Sequence, residues 1–164
     1  MVYKIRKLKE HSDIKQKVLG LIADSPGAKT GEITRTDWYT GKGKTKEYFK
    51  FLLPILSPYI EKIIGDLGHR EGYIETYWFQ QYETNSEHPW HTHPICAWSN
   101  VYYLEFPKDG PKLEIKMPFS NEIIIPDVEE GDLITFPSNF YHRSPVNKSS
   151  NRKTIVAFDM ANLK

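Results

Sequence analysis

From Gly72 onward the apolar residues recur with a period of two, and this change of period limits the fold more than any other feature. In "GYIETYWFQQY", Ile74, Thr76, Trp78, Gln80 and Tyr82 alternate with Tyr73, Glu75, Tyr77, Phe79 and Gln81. Successive side chains therefore belong on opposite faces of an extended strand. "SNVYYLEF", "KLEIKM", "EIIIP", "DLITFP" and "KTIVAFDM" are further strand candidates, separated by turn signals such as "PKDGPK" and "PDVEEGD".

The first part reads differently. "SDIKQKVLGLIAD" places Ile14, Val18, Leu21 and Ile22 at helical spacing, with Ser12 or Asp13 able to cap the start and "SPG" at Ser25 to Gly27 ending it. A polar stretch with glycines follows to about Lys44. "KEYFKFLLPILSPYIEKIIGDLG" is apolar enough for a core-facing helix, but Pro54 should break it. Ser57-Pro58 looks like a cap followed by proline at a first helical position, so the spacing predicts two short helices. Helices followed by a series of strands argue for an α+β layout, mainly β, with N-terminal helices packed on one sheet of a sandwich or jelly roll. The chain has 164 residues, which suits one domain over 1–164, with a helical part at 1–70 and a jelly-roll core at 71–164.

Composition removes several function classes. Twenty-two lysines and arginines against 21 acids leave a net charge of +1, no footprint for a nucleic-acid binder. The basic stretch "KIRKLK" reads as a solvated end. No apolar run is long enough to span a membrane, and no signal-peptide pattern opens the chain, so a cytoplasmic location is expected by default. Cys96 is the only cysteine, which excludes an internal disulfide and a cysteine-rich zinc site.

The chemistry sits in "HPWHTHPICAW". On a strand, residues two apart share a face, so His91 and His93 can converge on one ion while Thr92 points away. His88 has the opposite parity and stands beside Pro89, in the turn entering the strand. A third donor has to come from elsewhere. His11 and His69 lie near helix ends. His142 follows "EEGDLITFPSNFYH", where a strand ends at Pro137 and a short loop presents the histidine. His91, His93 and His142 thus form a candidate three-nitrogen face. The alternative is two half-exposed polar residues on a strand. Imidazole suits iron, zinc, copper and nickel alike, so ligand type does not choose the metal.

"WHTH", "SNVYYLEF" and "EEGDLITFPSNFYHRSPVNKSSNRKTIVAF", spanning Glu71 to Met160, resemble the 2-oxoglutarate/Fe(II)-dependent dioxygenase superfamily, in particular the small oxygenases common in phages and marine bacteria. The resemblance implies a double-stranded β-helix with Fe(II) inside one open end, and 2-oxoglutarate and O2 as cosubstrates. It implies their conversion to succinate and CO2, coupled to hydroxylation of an unactivated C–H bond. The family's ligand set is His-x-Asp with a distant His. His91 and His142 match, and His93 stands at the Asp position. Either all three histidines bind the metal, or His93 only supports it and leaves an extra open position. The parity of His93 favours the first, since Glu87 precedes the strand and Asp132 starts another.

The resemblance also calls for a basic residue about ten positions after the distal histidine, to hold the far carboxylate of 2-oxoglutarate. Arg152 stands ten residues after His142, and its planar fork makes it the first choice. A shift of one residue would give the role to Lys153. Tyr82 and Tyr103 are placed near the same carboxylate by the resemblance, and both also suit core packing. Trp78, Trp90 and Trp98 read as packing or pocket walls.

Three rivals stand beside this reading. One is a cupin-like three-histidine dioxygenase that does not use 2-oxoglutarate, to which "GDLITFPSNFYHRSPVN" fits loosely. Another is a non-catalytic jelly-roll binding or structural protein, and the third is a zinc hydrolase. The primary substrate and the oligomeric state are not readable from the sequence, and if the chain is phage-encoded the expected location is the host cytoplasm.

Overall fold

The computed structural model describes residues 2–40 and 45–161. In chain order the elements are β1 (Lys4–Lys7), α1 (His11–Ala23), β2 (Ala28–Thr30), β3 (Ile33–Thr36), α2 (Glu47–Asp66), β4 (Tyr73–Tyr82), β5 (His88–His91), β6 (Trp98–Glu105), β7 (Glu114–Lys116), β8 (Ile123–Ile124), β9 (Asp132–Pro137), β10 (Tyr141–Ser144) and β11 (Lys153–Ala161). They form a seven-stranded sheet ordered β1-β9-β6-β11-β4-β3-β2 and a four-stranded sheet ordered β5-β10-β7-β8. This is the expected jelly roll, mainly β, with both helices on one face of the larger sheet and a barrel that does not close.

The larger sheet is buried on both faces. Val156, Phe158, Phe79, Tyr102 and Leu104 pack with Val18 and Ile22 of α1 and Leu52 and Leu56 of α2. The opposite side chains, including Trp78, Val101, Tyr103, Ile155 and Ala157, pack with Ile115 of the smaller sheet. Every residue of β11 is buried, because both of its neighbours pair with it and both faces are covered.

Four sequence expectations change here. The predicted pair of helices is one helix, α2, with Pro54 and Pro58 inside it, and the Ser57 hydroxyl bonds the Leu53 carbonyl instead of capping a new start. Neither Ser12 nor Asp13 caps α1, whose N-cap residue is Glu10. "KIRK" is not a solvated end but β1, an edge strand paired with β9, where Lys7 meets Asp132 at 2.9 Å. Its polar composition suits an edge, where charge discourages pairing with other chains. The polar stretch after α1 contributes β2 and β3 to the other edge, while its positions 41–44 lie outside the described residues. No helix among the described residues is long and apolar enough to cross a membrane.

Candidate metal centre

β5 and β10 pair antiparallel at the mouth of the space between the sheets, and the register puts His91 directly opposite His142. His142 therefore sits within a strand, not on the expected loop. His93 lies two residues beyond β5, held by its backbone N–H on the Ser138 carbonyl at 2.8 Å. A donor atom from each of His91, His93 and His142 lies within 4.8 Å of the others, close enough for one metal ion to bridge. The ring centroids are 4.2 Å apart for His91 and His142, and 5.1 Å from each to His93.

The hydrogen bonds set the tautomers. Nδ1 of His91 is 2.8 Å from the Pro89 carbonyl, and Nδ1 of His142 is 2.9 Å from the Phe140 carbonyl. A carbonyl can only accept, so both Nδ1 atoms carry the proton and both Nε2 atoms keep a free lone pair. Nδ1 of His93 meets Asp159 Oδ2 at 2.7 Å, a carboxylate–imidazole arrangement of the kind that orients metal-binding histidines. Asp159 is buried on β11 and accepts a second bond from Ser99 Oγ at 2.7 Å. Burial pushes His91 down to about 4 and holds His142 well below the usual imidazole range, so both are free bases at neutral pH. Anchored at Nδ1, the three imidazoles fit a divalent metal of the imidazole-binding group.

His88, expected in an entering turn, is the first residue of β5 and lines the same cavity. Ser144 and His142 on β10 oppose His88 and His91 on β5, so one strand advances two residues while the other advances three. This bulge cancels the parity difference. The His88 ring stacks on His91 at 3.7 Å and approaches Gln80 at 3.4 Å. Burial pushes it down to about 3. His88 is not part of the three-nitrogen cluster.

Of the two basic candidates, Lys153 faces the cavity and Arg152, the first choice, does not. Arg152 precedes β11 and its guanidinium binds Glu105, with Nε 2.9 Å from Oε2, outside the cavity. Lys153 points inward. It is the only buried lysine or arginine among the described residues. Its Nζ donates to Ser144 Oγ at 2.7 Å and to the Pro111 carbonyl at 2.9 Å, and lies 5.1 Å from the Tyr82 ring and 5.5 Å from that of Tyr103. Burial pushes the ammonium down to about 7. Tyr82 and Tyr103 are both buried in the cavity wall, and the Tyr82 hydroxyl donates to Gln80 Oε1 at 2.6 Å. The structure thus gathers His91, His93, His142, Tyr82 and Tyr103 around one cavity, adds His88, Asp159 and Lys153, and leaves out Arg152.

Trp90 lies away from the centre, under the Arg143 guanidinium at 4.8 Å. Trp98 packs on the helix side of the larger sheet. Trp78 lines the cavity beside His93, with ring centroids 5.4 Å apart.

The sequence matches no protein-family model and no curated protein. Solved structures do match in fold. An oxidoreductase of the 2OG-Fe(II) oxygenase family from Burkholderia pseudomallei superposes with a TM-score of 0.77 at 14% identity, covering 97% of this chain and 84% of that one. A prolyl hydroxylase from Trichoplax adhaerens, in complex with a hypoxia inducible factor peptide fragment, gives 0.71 at 16%, with 97% and 83% covered. The epimerase SnoN, in complex with Fe3+, alpha ketoglutarate and nogalamycin RO, gives 0.69 at 11%, with 98% and 78% covered. This chain shares their fold.

Proposed function

We propose that this protein is a 2-oxoglutarate- and Fe(II)-dependent oxygenase that hydroxylates an unactivated C–H bond. The observation that carries the reading is the pairing of a three-imidazole cluster with one buried ammonium, Lys153, across the same cavity. The shared fold with oxygenase structures supports it. His91, His93 and His142 would hold the iron through Nε2. Iron with 2-oxoglutarate and O2 supplies the oxidising chemistry, and the chain's task is to bind, orient and shield.

Lys153 would receive the far carboxylate of 2-oxoglutarate, exchanging its contacts to Ser144 and Pro111 for a charge-assisted bond. The rings of Tyr82 and Tyr103 keep water from that ion pair, which strengthens it. A lysine gives a point charge without the bidentate fork of arginine, so shape selection falls to the surrounding rings. The inner cavity holds about 40 Å³, room for a few waters. A five-carbon diacid needs more, and His88 is the wall residue placed to yield. To yield, its ring would give up the stack on His91 and a 3.4 Å contact to Gln80.

Asp159 would restore what the ligand set lacks. Three imidazoles leave both charges of the metal uncompensated, and a carboxylate bonded to His93 places a negative charge one ring away.

The all-histidine donor set and the small inner cavity favour one rival, a three-histidine dioxygenase that needs no 2-oxoglutarate. A single experiment separates the two: anaerobic Fe(II) titration, followed by a succinate assay with 2-oxoglutarate and O2. Stoichiometric iron with succinate formation, both lost in His142→Ala, is expected. Stoichiometric iron without succinate would leave the rival, and no iron binding would remove both.

A further inference from the structure

A second cavity, of about 200 Å³, opens on the outer side of the histidines and shares Trp78, Gln80, His88, His91 and His93 with the inner one. Its own walls are Ile33, Thr36, Trp38 and Tyr39, with Thr30 and Thr92. Three features define what it can hold.

The first is charge. Among the described residues, no lysine, arginine, aspartate or glutamate lines the outer cavity, whereas Lys153, Arg143 and Asp159 line the inner one. With no metal bound, an ionised group placed there would give up water and meet no charged side chain among the described residues.

The second is shape. The Trp38 and Trp78 rings meet edge to face at 4.4 Å and 84°, giving two perpendicular flat walls. Trp38 is fixed from behind. Its backbone N–H bonds Thr36 Oγ1 at 3.2 Å, and the neighbouring Asp37 carboxylate accepts bonds from Tyr48 at 2.8 Å and the Phe79 backbone at 2.9 Å. Cavities of roughly 150 Å³ admit a benzene ring, so 200 Å³ suits a single substituted ring.

The third is an unpaired donor. Trp78 is 4% exposed, and its indole Nε1 is buried without a hydrogen-bond partner. A buried N–H left unpaired costs about 1–3 kcal/mol, so such groups are rarely idle. Trp78 stands in the wall common to both cavities, beside the candidate metal ligands.

We infer that the outer cavity is the substrate subsite, shaped for one uncharged ring bearing a hydrogen-bond acceptor that takes the Trp78 indole N–H. The word substrate rests on the oxygenase reading; the ring site itself does not. A ring seated there lies against His91 and His93, next to the metal position, while the cosubstrate lies on the Lys153 side.

The test uses the full chain without added metal and three probes: benzamide, benzoate and toluene. Binding is followed by ligand-observed NMR. Benzamide is expected to bind at millimolar concentration or tighter, and benzoate at least about tenfold more weakly. Trp78→Phe should weaken benzamide about tenfold, the worth of one hydrogen bond, and change toluene less than threefold. Tyr39→Ala, at a rim position 66% exposed and so tolerant of change, should weaken benzamide and toluene together. Benzoate binding as tightly as benzamide, no benzamide binding, or a Trp78→Phe loss that falls on 2-oxoglutarate and not on benzamide would each overturn the inference. Succinate formation is measured separately. A protein that passes the probe test but makes no succinate keeps its ring site and loses the oxygenase reading. One that makes succinate and fails the probe test keeps the oxygenase and loses the ring.

Discussion

His93 Nδ1 and Asp159 Oδ2 lie 2.7 Å apart, joining the loop after β5 to the far end of β11. The bond fixes the imidazole with its other nitrogen free and places a carboxylate behind it. Removing the charge while keeping the shape, Asp159→Asn, should weaken Fe(II) binding by roughly 10–100-fold. His93→Asp alone should not improve binding, because it sets two carboxylates side by side and one must take a proton. His93→Asp with Asp159→Asn removes that repulsion and should bind iron more tightly than His93→Asp alone. Metal titrations of the three variants check the sign; a double variant weaker than His93→Asp would show that Asp159 only supports the fold.

Lys153 and Arg152 are adjacent in sequence and opposite in placement, so their variants should separate. Lys153→Met keeps the aliphatic stem among the rings and should raise the dissociation constant of 2-oxoglutarate at least about tenfold while iron affinity holds. Arg152→Ala loses only the half-exposed pair with Glu105, costing about 0–1 kcal/mol of stability and no cosubstrate affinity. Calorimetric titration of 2-oxoglutarate and denaturant unfolding read the two effects.

The ambiguity between these two residues has a physical origin. Alternation in a strand marks which residues share a face, but it names the inner face only when the other face is wet. β11 is buried throughout, with Val156 and Phe158 against the helices and Ile155 and Ala157 toward the cavity. Its apolar run therefore has no contrast to read. The strands β4, β6, β9 and β11 were legible because their length and β-branched or aromatic content suffice. β10 has four residues, one of them buried His142, and carries no such signal. The meeting of His91, His93 and His142 was foreseen from spacing, although His93 arrives through a loop bond to Ser138 and not through strand parity. His88 was missed because a bulge is a property of two paired strands, invisible in either alone. Asp159 was missed because it reaches His93 from 66 residues away.

The Lys153 ammonium titrates at about 7 in the folded chain, against about 10.4 for an exposed lysine. Between those values the unfolded chain holds a proton that the folded chain has released, so stability should rise with pH across the window. Lys153→Met should flatten that rise. Cosubstrate binding has the opposite sign, since a carboxylate prefers the ammonium. Affinity for 2-oxoglutarate should be highest below about pH 7 and fall as pH rises through it. Above that pH, binding should draw in one proton, measurable by calorimetry in buffers of different ionisation enthalpy.

His88→Ala tests whether this ring blocks the inner cavity or holds the metal. His88 lies outside the three-nitrogen cluster, so iron affinity should change less than about threefold. Truncation enlarges a space of about 40 Å³, and 2-oxoglutarate should bind as tightly or more tightly than in the parent protein. A collapse of iron affinity would make His88 a ligand.

Pro54 and Pro58 lie inside α2 with exposed rings, and each removes an N–H, so the carbonyls of Lys50 and Pro54 lose their helical partners. At about 3 kcal/mol each, the two prolines should have divided the helix. Seven buried side chains oppose them: Tyr48, Phe49, Leu52, Leu56, Ile60, Ile63 and Ile64. At about 1.5–3 kcal/mol apiece their burial outweighs the two prolines and keeps one continuous helix against the sheet. If that balance is correct, Pro54→Ala restores a backbone bond without disturbing any buried contact. Denaturant unfolding should show a gain of about 1–3 kcal/mol, with iron and 2-oxoglutarate binding unchanged. A loss of stability would mean that the fixed backbone angle of Pro54 is itself needed to hold α2 against the larger sheet.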